Sequence, residues 1–119
     1  MIKGIGIDLI ELDRIRKSIE NSERLVNRIL TKNEYEIFQK LNSFNRKSEF
    51  LAGRFAAKEA FAKATGQGIG ALSFQDIEIL TNEKGAPYMT AKGYSDYDVF
   101  LSITHSRDYA AAQVIIVKK

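Results

Sequence analysis

The chain holds 119 residues with 18 Lys and Arg, 15 Asp and Glu and 45% hydrophobic residues, an ordinary soluble composition sized for one domain, residues 1–119. It has no cysteine, which excludes disulfides, iron–sulfur clusters, zinc ribbons and thiol catalysis, and no apolar run approaches the roughly 18 residues of a membrane span. Residues 1–63 carry 13 Lys and Arg against 9 Asp and Glu, while residues 64–119 carry 5 against 6, so the positive excess is one-sided and favours an anionic partner over a nucleic-acid coat.

Met1-Ile2-Lys3-Gly4-Ile5-Gly6 lacks the apolar core and cleavage site of a signal peptide, so the expected compartment is the cytoplasm. Ile5, Ile7 and Leu9 alternate with Gly4, Gly6 and Asp8, the period of a strand. Its bare glycine face lets another backbone or a ligand come close beside Asp8. Asp13 is the expected cap of the helix that follows. Over residues 14–30 the apolar side chains Ile15, Ile19, Leu25, Val26 and Ile29 recur at helical spacing, and Arg14, Lys17, Arg24 and Arg28 form a second stripe nearly opposite. That shared stripe is conditional, because Asn21-Ser22 can break the helix in two, with Ser22 capping the second half.

Thr31 and Glu34 have capping-box spacing and open a short helix through Leu41. A polar loop over residues 42–47 ends in Arg46-Lys47. The next helix spans residues 48–65, capped by Ser48 and ended by Gly66. Gly66-Gln67-Gly68-Ile69-Gly70 lacks the pattern of a phosphate loop. Strands are expected over residues 76–81 and 87–90, joined by Asn82-Glu83-Lys84-Gly85, and over residues 99–104 and 110–117, turning at His105-Ser106-Arg107-Asp108. One strand, helices and then two hairpins make an α+β layout, an antiparallel sheet with helices packed on it.

Ala52, Ala56, Glu59 and Lys63 share a narrow helical stripe, a floor of alanines ending in a carboxylate and an ammonium that would suit a ligand lying flat. Glu to Lys at i,i+4 is also a common surface pair. Asp8 and Glu59 together would supply two hard oxygens for Mg²⁺, whose remaining positions go to water and phosphate; Mn²⁺ suits the same ligands. Asp8 is equally a turn or helix cap. His105, the only histidine, lies in a turn with hydroxyls that can hold a phosphate, although such a residue is more often solvated. Lys84-Gly85-Ala86-Pro87 is fully accounted for as a turn.

In combination and in this order, these segments resemble a known family. Gly6-Ile7-Asp8-Leu9-Ile10-Glu11 with Arg14-Ile15 is similar to the opening motif of the 4′-phosphopantetheinyl transferases of the holo-acyl-carrier-protein synthase type. The run from Phe55 through Lys58-Glu59 to Lys63-Ala64, followed by Gly66, is similar to their second motif. Lys84-Gly85-Ala86-Pro87 and Ser102-Ile103-Thr104-His105-Ser106 resemble the third and fourth. The resemblance implies transfer of the 4′-phosphopantetheine arm from coenzyme A to a serine of an apo-acyl carrier protein, releasing 3′,5′-ADP, in support of fatty acid biosynthesis.

It further implies Mg²⁺ held by Asp8 and Glu59 and a homotrimer with active sites between subunits. In that assembly the glycines beside Asp8 make room for a neighbouring chain or the cofactor, and His105 acts across the interface. Lys63 neutralises or protonates the leaving oxygen, and either Glu59 or a metal-bound water serves as base. Arg54, Lys84, Gly85, Pro87, His105 and Ser106 are candidates for the nucleotide and its 3′-phosphate, with Arg46 and Lys47 as additions. Arg14, Lys17, Arg24 and Arg28 would dock the acidic carrier. The competing classes are a non-enzymatic adaptor that binds an acidic protein through the same basic helix, and a small RNA-binding module.

Overall fold

In the computed structural model, residues 1–68 and 72–119 are described; Ile69 and Gly70 of the glycine-rich stretch lie outside them. The first strand, β1 (Ile2–Glu11), pairs antiparallel with the last, β5 (Tyr109–Lys118), which also pairs with β4 (Tyr97–His105), giving the order β1-β5-β4. β2 (Ile77–Thr81) and β3 (Pro87–Ala91) form a separate two-stranded sheet. The α+β antiparallel architecture is as expected, but it consists of two sheets. Between β1 and β2 come α1 (Leu12–Asn21), α2 (Arg24–Ile29), α3 (Lys32–Gln39) and α4 (Phe44–Thr65).

The alternation in β1 is real, but its apolar side chains face away from the helices. Ile5, Ile7 and Leu9 are 56%, 63% and 63% exposed, whereas the glycine face packs on α4. A Cβ at Gly4 would overlap the carbonyl oxygen of Ala64, and one at Gly6 that of Ala60. The room those glycines leave is therefore filled by this chain's own helix backbone, not by a neighbouring chain or a cofactor. Gly6→Ala must push strand and helix apart. It is expected to cost stability at or above the upper end of the about 1–3 kcal/mol typical of overpacking, measured by urea unfolding.

Ala52, Ala56, Ala57 and Ala60 of α4 are fully buried against the three-stranded sheet and its apolar residues Ala110, Val114 and Ile116. The alanines are thus the helix side of the core and not a floor for a ligand. Helix α4 also begins a turn earlier than expected. Ser43 caps it by accepting from the Arg46 N–H at 3.1 Å, so Asn45, Arg46 and Lys47 are helical, and Ser48 is an interior residue donating to the Phe44 carbonyl. Gly66 closes the helix at φ 79°, as its position suggested. Asp13 is not a cap, because β1 runs through Glu11; it pairs with Lys17 at 3.0 Å.

The Thr31–Glu34 capping box forms, and the structure adds a role for its glutamate. Glu34 is completely buried and accepts from Lys58 Nζ at 2.7 Å and the Ile79 N–H at 2.7 Å. Lys58 Nζ donates also to the carbonyls of Ile29 at 2.7 Å and Phe74 at 3.0 Å, which accounts for all three ammonium protons. One ion pair thereby ties α2, α3, α4 and β2 together. Burial pushes the Lys58 ammonium below the usual lysine range, and the Glu34 carboxylate opposes that shift.

Candidate functional site

Asp8 sits opposite Ala112 in the β1–β5 ladder, on the face that packs against α4. There it meets Lys63, whose Nζ donates to Asp8 Oδ1 at 3.0 Å and to the Ile7 carbonyl at 3.0 Å. Glu59 lies one turn earlier on α4. Its carboxyl is held above the usual carboxylate range first by burial and then by the charge of Asp8, while Lys63 and Arg28 act the other way. Asp8 of β1 is therefore brought to the Glu59–Lys63 pair of α4, 51 and 55 residues away in sequence.

A carboxyl whose ionisation is opposed by burial and by a neighbouring carboxylate belongs to a donor set that a divalent cation would relieve. Among the described residues no third acidic or imidazole group joins them. A site with only two protein oxygens fits Mg²⁺, which keeps waters and takes substrate phosphates.

A second set gathers at the other half of α4. A cavity of about 420 Å³ is lined by Arg46, Glu49, Phe50, Gly53 and Arg54 of the helix and by Ile103 and His105 of β4. Arg54 lies over the Phe50 ring at 4.0 Å and its Nη2 reaches the Ile79 carbonyl at 3.5 Å, yet its buried Nε has no partner among the described residues. Burial pushes the guanidinium below its usual value, with Glu34 opposing. Unsatisfied donors of this kind suit an anion.

The remaining nucleotide candidates do not join this cavity. Lys84 and Gly85 are exposed in the β2–β3 turn, which the Asn82 side chain closes by accepting from the N–H groups of Lys84 and Ala86. Pro87 opens β3 beside them. Ser106 is used by its own turn, its Oγ accepting from the Tyr109 N–H at 3.3 Å. Lys47 stacks over Phe38 at 5.3 Å.

The basic stripe is not one helix face. Ser22 is extended, at φ −171°, between α1 and α2, and Glu23 rather than Ser22 is the cap of α2. Arg14 and Lys17 belong to α1, with Lys17 engaged by Asp13. Arg24 and Arg28 line an open concavity of about 770 Å³ with Ser18 and Asn21, and Arg28 stands over Phe74 at 5.5 Å.

Sequence reasoning missed Glu49, Lys58 and Glu34 as more than local groups. Glu49 had a signal, its i,i+3 spacing from Arg46, but that spacing matters only once the helix is known to start at Phe44. The pairing of Lys58 with Glu34 spans 24 residues and has no local signature.

Residues 4–114 match the model of the 4′-phosphopantetheinyl transferase superfamily. The chain is 59% identical over 116 residues to the holo-[acyl-carrier-protein] synthase of Oceanobacillus iheyensis, covering 98% of this chain and 97% of that one. It is 55% identical over 117 residues to that of Listeria monocytogenes serotype 4b, covering 98% of both. Among solved structures it resembles a holo-(acyl-carrier-protein) synthase from Bacillus anthracis in complex with CoA (3′,5′-ADP), with TM-score 0.90, 46% identity and coverage of 100% and 99%. The synthase from Helicobacter pylori in complex with coenzyme A gives TM-score 0.82 at 34% identity, with coverage of 94% and 98%.

Proposed function

The chain belongs to the 4′-phosphopantetheinyl transferase superfamily, and from that premise we propose that it is a Mg²⁺-dependent enzyme moving 4′-phosphopantetheine from coenzyme A to a serine of apo-acyl carrier protein. The observation that carries this is the meeting of Asp8, Glu59 and Lys63, 51 and 55 residues apart in sequence, at one point between β1 and α4. In the reaction the serine oxygen bonds to the phosphorus that bears the pantetheine arm. The bridging oxygen leaves with 3′,5′-ADP, and the serine proton passes to a base.

Phosphoryl transfer of this kind depends mainly on positioning and charge neutralisation. Mg²⁺, or Mn²⁺ in its place, supplies a Lewis acid on the pyrophosphate oxygens when bound. Asp8 and Glu59 are the residues that would hold it. Lys63, fixed by Asp8 and the Ile7 carbonyl, keeps an ammonium proton free to meet the leaving oxygen. Glu59, whose carboxyl is held above the usual range, is suited to accept the serine proton directly or through a water.

Arg46, Arg54 and His105 are assigned to the nucleotide's 3′-phosphate, because they are the basic side chains of one cavity. Lys84, Gly85, Pro87 and Ser106 reach the nucleotide in this reading only from the rim or from another subunit. Along α4 the cavity reaches to Arg54, five residues and about 7.5 Å from Glu59. A site completed between subunits is favoured by the outer face of the three-stranded sheet, where Ile5, Ile115 and Phe100 stand in one cross-strand row, with Ile5 56% and Phe100 58% exposed. A homotrimer is the assembly proposed.

The direct test is intact mass spectrometry of an acidic apo-acyl carrier protein after incubation with the protein, coenzyme A and Mg²⁺. A gain of one phosphopantetheinyl group that chelator abolishes is expected; no gain with several apo carriers overturns the reading in favour of the adaptor. The products would serve fatty acid biosynthesis in the cytoplasm. No helix among the described residues is long and apolar enough to cross a membrane.

Carrier docking is assigned to Arg14, Lys17 and the Arg24–Arg28 concavity, an exposed basic surface facing an acidic helical partner. Raising salt is expected to increase KM for the carrier several-fold while kcat holds, because screening weakens exposed charge pairs. An unchanged KM would remove the electrostatic role.

A further inference from the structure

Within the cavity that the proposed function assigns to the 3′-phosphate, one acidic side chain stands among three basic ones, Arg46, Arg54 and His105. Glu49 is 19% exposed. Its Oε2 accepts from Asn45 Nδ2 at 3.3 Å and lies 3.7 Å from His105 Nδ1, and its Oε1 lies 4.0 Å from Arg46 Nε. The Asn45 amide is itself oriented, since its Oδ1 accepts from an Arg16 guanidinium nitrogen of α1 at 3.1 Å. The carboxylate is thus held by a fixed amide and turned toward the inner edges of an imidazole and a guanidinium. The nitrogens not beside the carboxylate are His105 Nε2 and the terminal nitrogens of Arg46.

A bare carboxylate repels phosphate, so its presence in an anion site calls for a positioning account. We propose that Glu49 is a positioning residue for phosphate-monoester recognition: it orients His105 and Arg46 so that their free nitrogens converge on the 3′-phosphate of the nucleotide. This inference rests on the assignment of the cavity to that phosphate. With Nδ1 3.7 Å from the carboxylate, His105 has Nε2 as its remaining nitrogen for the phosphate. Arg46 and Arg54, less the one charge of Glu49, leave the cavity net positive toward a monoester, and the His105 ring adds a neighbouring donor. The 3′-dephospho form presents a neutral hydroxyl there instead, so the same set discriminates between coenzyme A and that form.

The test compares coenzyme A with 3′-dephospho-coenzyme A in wild type, Glu49→Gln, His105→Gln and the double variant. Calorimetric binding of 3′,5′-ADP against 5′-AMP provides a readout without turnover. Wild type is expected to prefer the 3′-phosphorylated partner in both assays. Glu49→Gln is expected to lower that preference about tenfold, through KM with kcat held, the scale of a hydrogen bond to a charged group. Because Glu49 acts in part through His105, the double variant is expected to lose less than the sum of the two single losses, a non-additivity that a purely structural role would not produce.

Full preference in Glu49→Gln when His105→Gln has lost it overturns the role of Glu49 and leaves the cavity assignment standing. So does strict additivity in the double variant. No preference in wild type overturns the cavity assignment, and this inference with it. Should Glu49→Gln fail to fold, Glu49→Asp, which withdraws the carboxylate by one methylene, is expected to show the same selective loss, and retained preference there overturns the proposal equally.

Discussion

Replacing Glu59 with Gln is expected to lower kcat for carrier modification by about 10²–10⁴-fold, the range for removing a positioned acid–base group, with the fold intact. Asp8→Ala is expected to do the same. The physical reason is that both carboxylates face one point beside Lys63, where burial and the charge of Asp8 make Glu59 harder to ionise. The stability consequence has a definite sign. A carboxyl whose folded-state value lies above its unfolded one binds its proton more tightly in the folded state, so its contribution falls as pH rises from the unfolded value of 4.5 through the folded one. At neutral pH the ionised Glu59 burdens the fold. Glu59→Gln should therefore keep or raise the melting temperature while turnover collapses, the pattern of a functional site that trades stability for activity. Unfolding of Glu59→Gln or Asp8→Ala under ordinary conditions would instead show that these carboxylates serve structure.

The second large effect is expected from Lys58, the immediate neighbour of Glu59 on α4, and it is of the opposite kind. Lys58→Met leaves the buried Glu34 carboxylate without its counter-ion and strips the Ile29 and Phe74 carbonyls of their donor. Breaking one side of a buried pair costs about 3–5 kcal/mol. Urea unfolding at fixed protein concentration measures it, since an assembling protein gains stability with concentration. A loss below about 1 kcal/mol would mean that water replaces the ammonium. Joint replacement of Lys58 and Glu34 by apolar residues is expected to recover part of the loss, because the desolvation of both charges is then avoided. Adjacent residues of one motif thus divide the work: Lys58 points into the core and Glu59 toward the site.

Much of the local structure was legible because it depends on atoms within about four residues of one another. The Thr31–Glu34 box, the Gly66 stop and the Asn82-centred turn all formed where their residue types put them. The exceptions were near misses in the same currency. Ser43 outcompeted Ser48 as the cap of α4, because residues 44–47, although polar, also form a turn of helix whose first free N–H groups Ser43 can satisfy. The break allowed at Asn21-Ser22 did form and left α1 and α2 as separate faces, with Glu23 in place of Ser22 as the cap of α2.

The sequence by itself determined the element types and the identity of the chemical groups. Its motifs also brought Asp8, Glu59 and Lys63 into one hypothesis before any contact was known. Which groups meet was decided by the packing of β1 on α4. Periodicity assigns two faces to a strand without saying which is buried, so only the tertiary structure put glycine against helix and left Ile5, Ile7 and Leu9 in solvent. The same holds for the nucleotide candidates: His105 and Arg54 met because β4 lies against the first half of α4, while Lys84 and Gly85 stayed on a turn of the other sheet. Contacts across 24 or 55 residues, such as Lys58 with Glu34 and Lys63 with Asp8, depend on how whole elements dock. No local spacing encodes that docking, because its energy comes from burying faces that are shared by the entire chain.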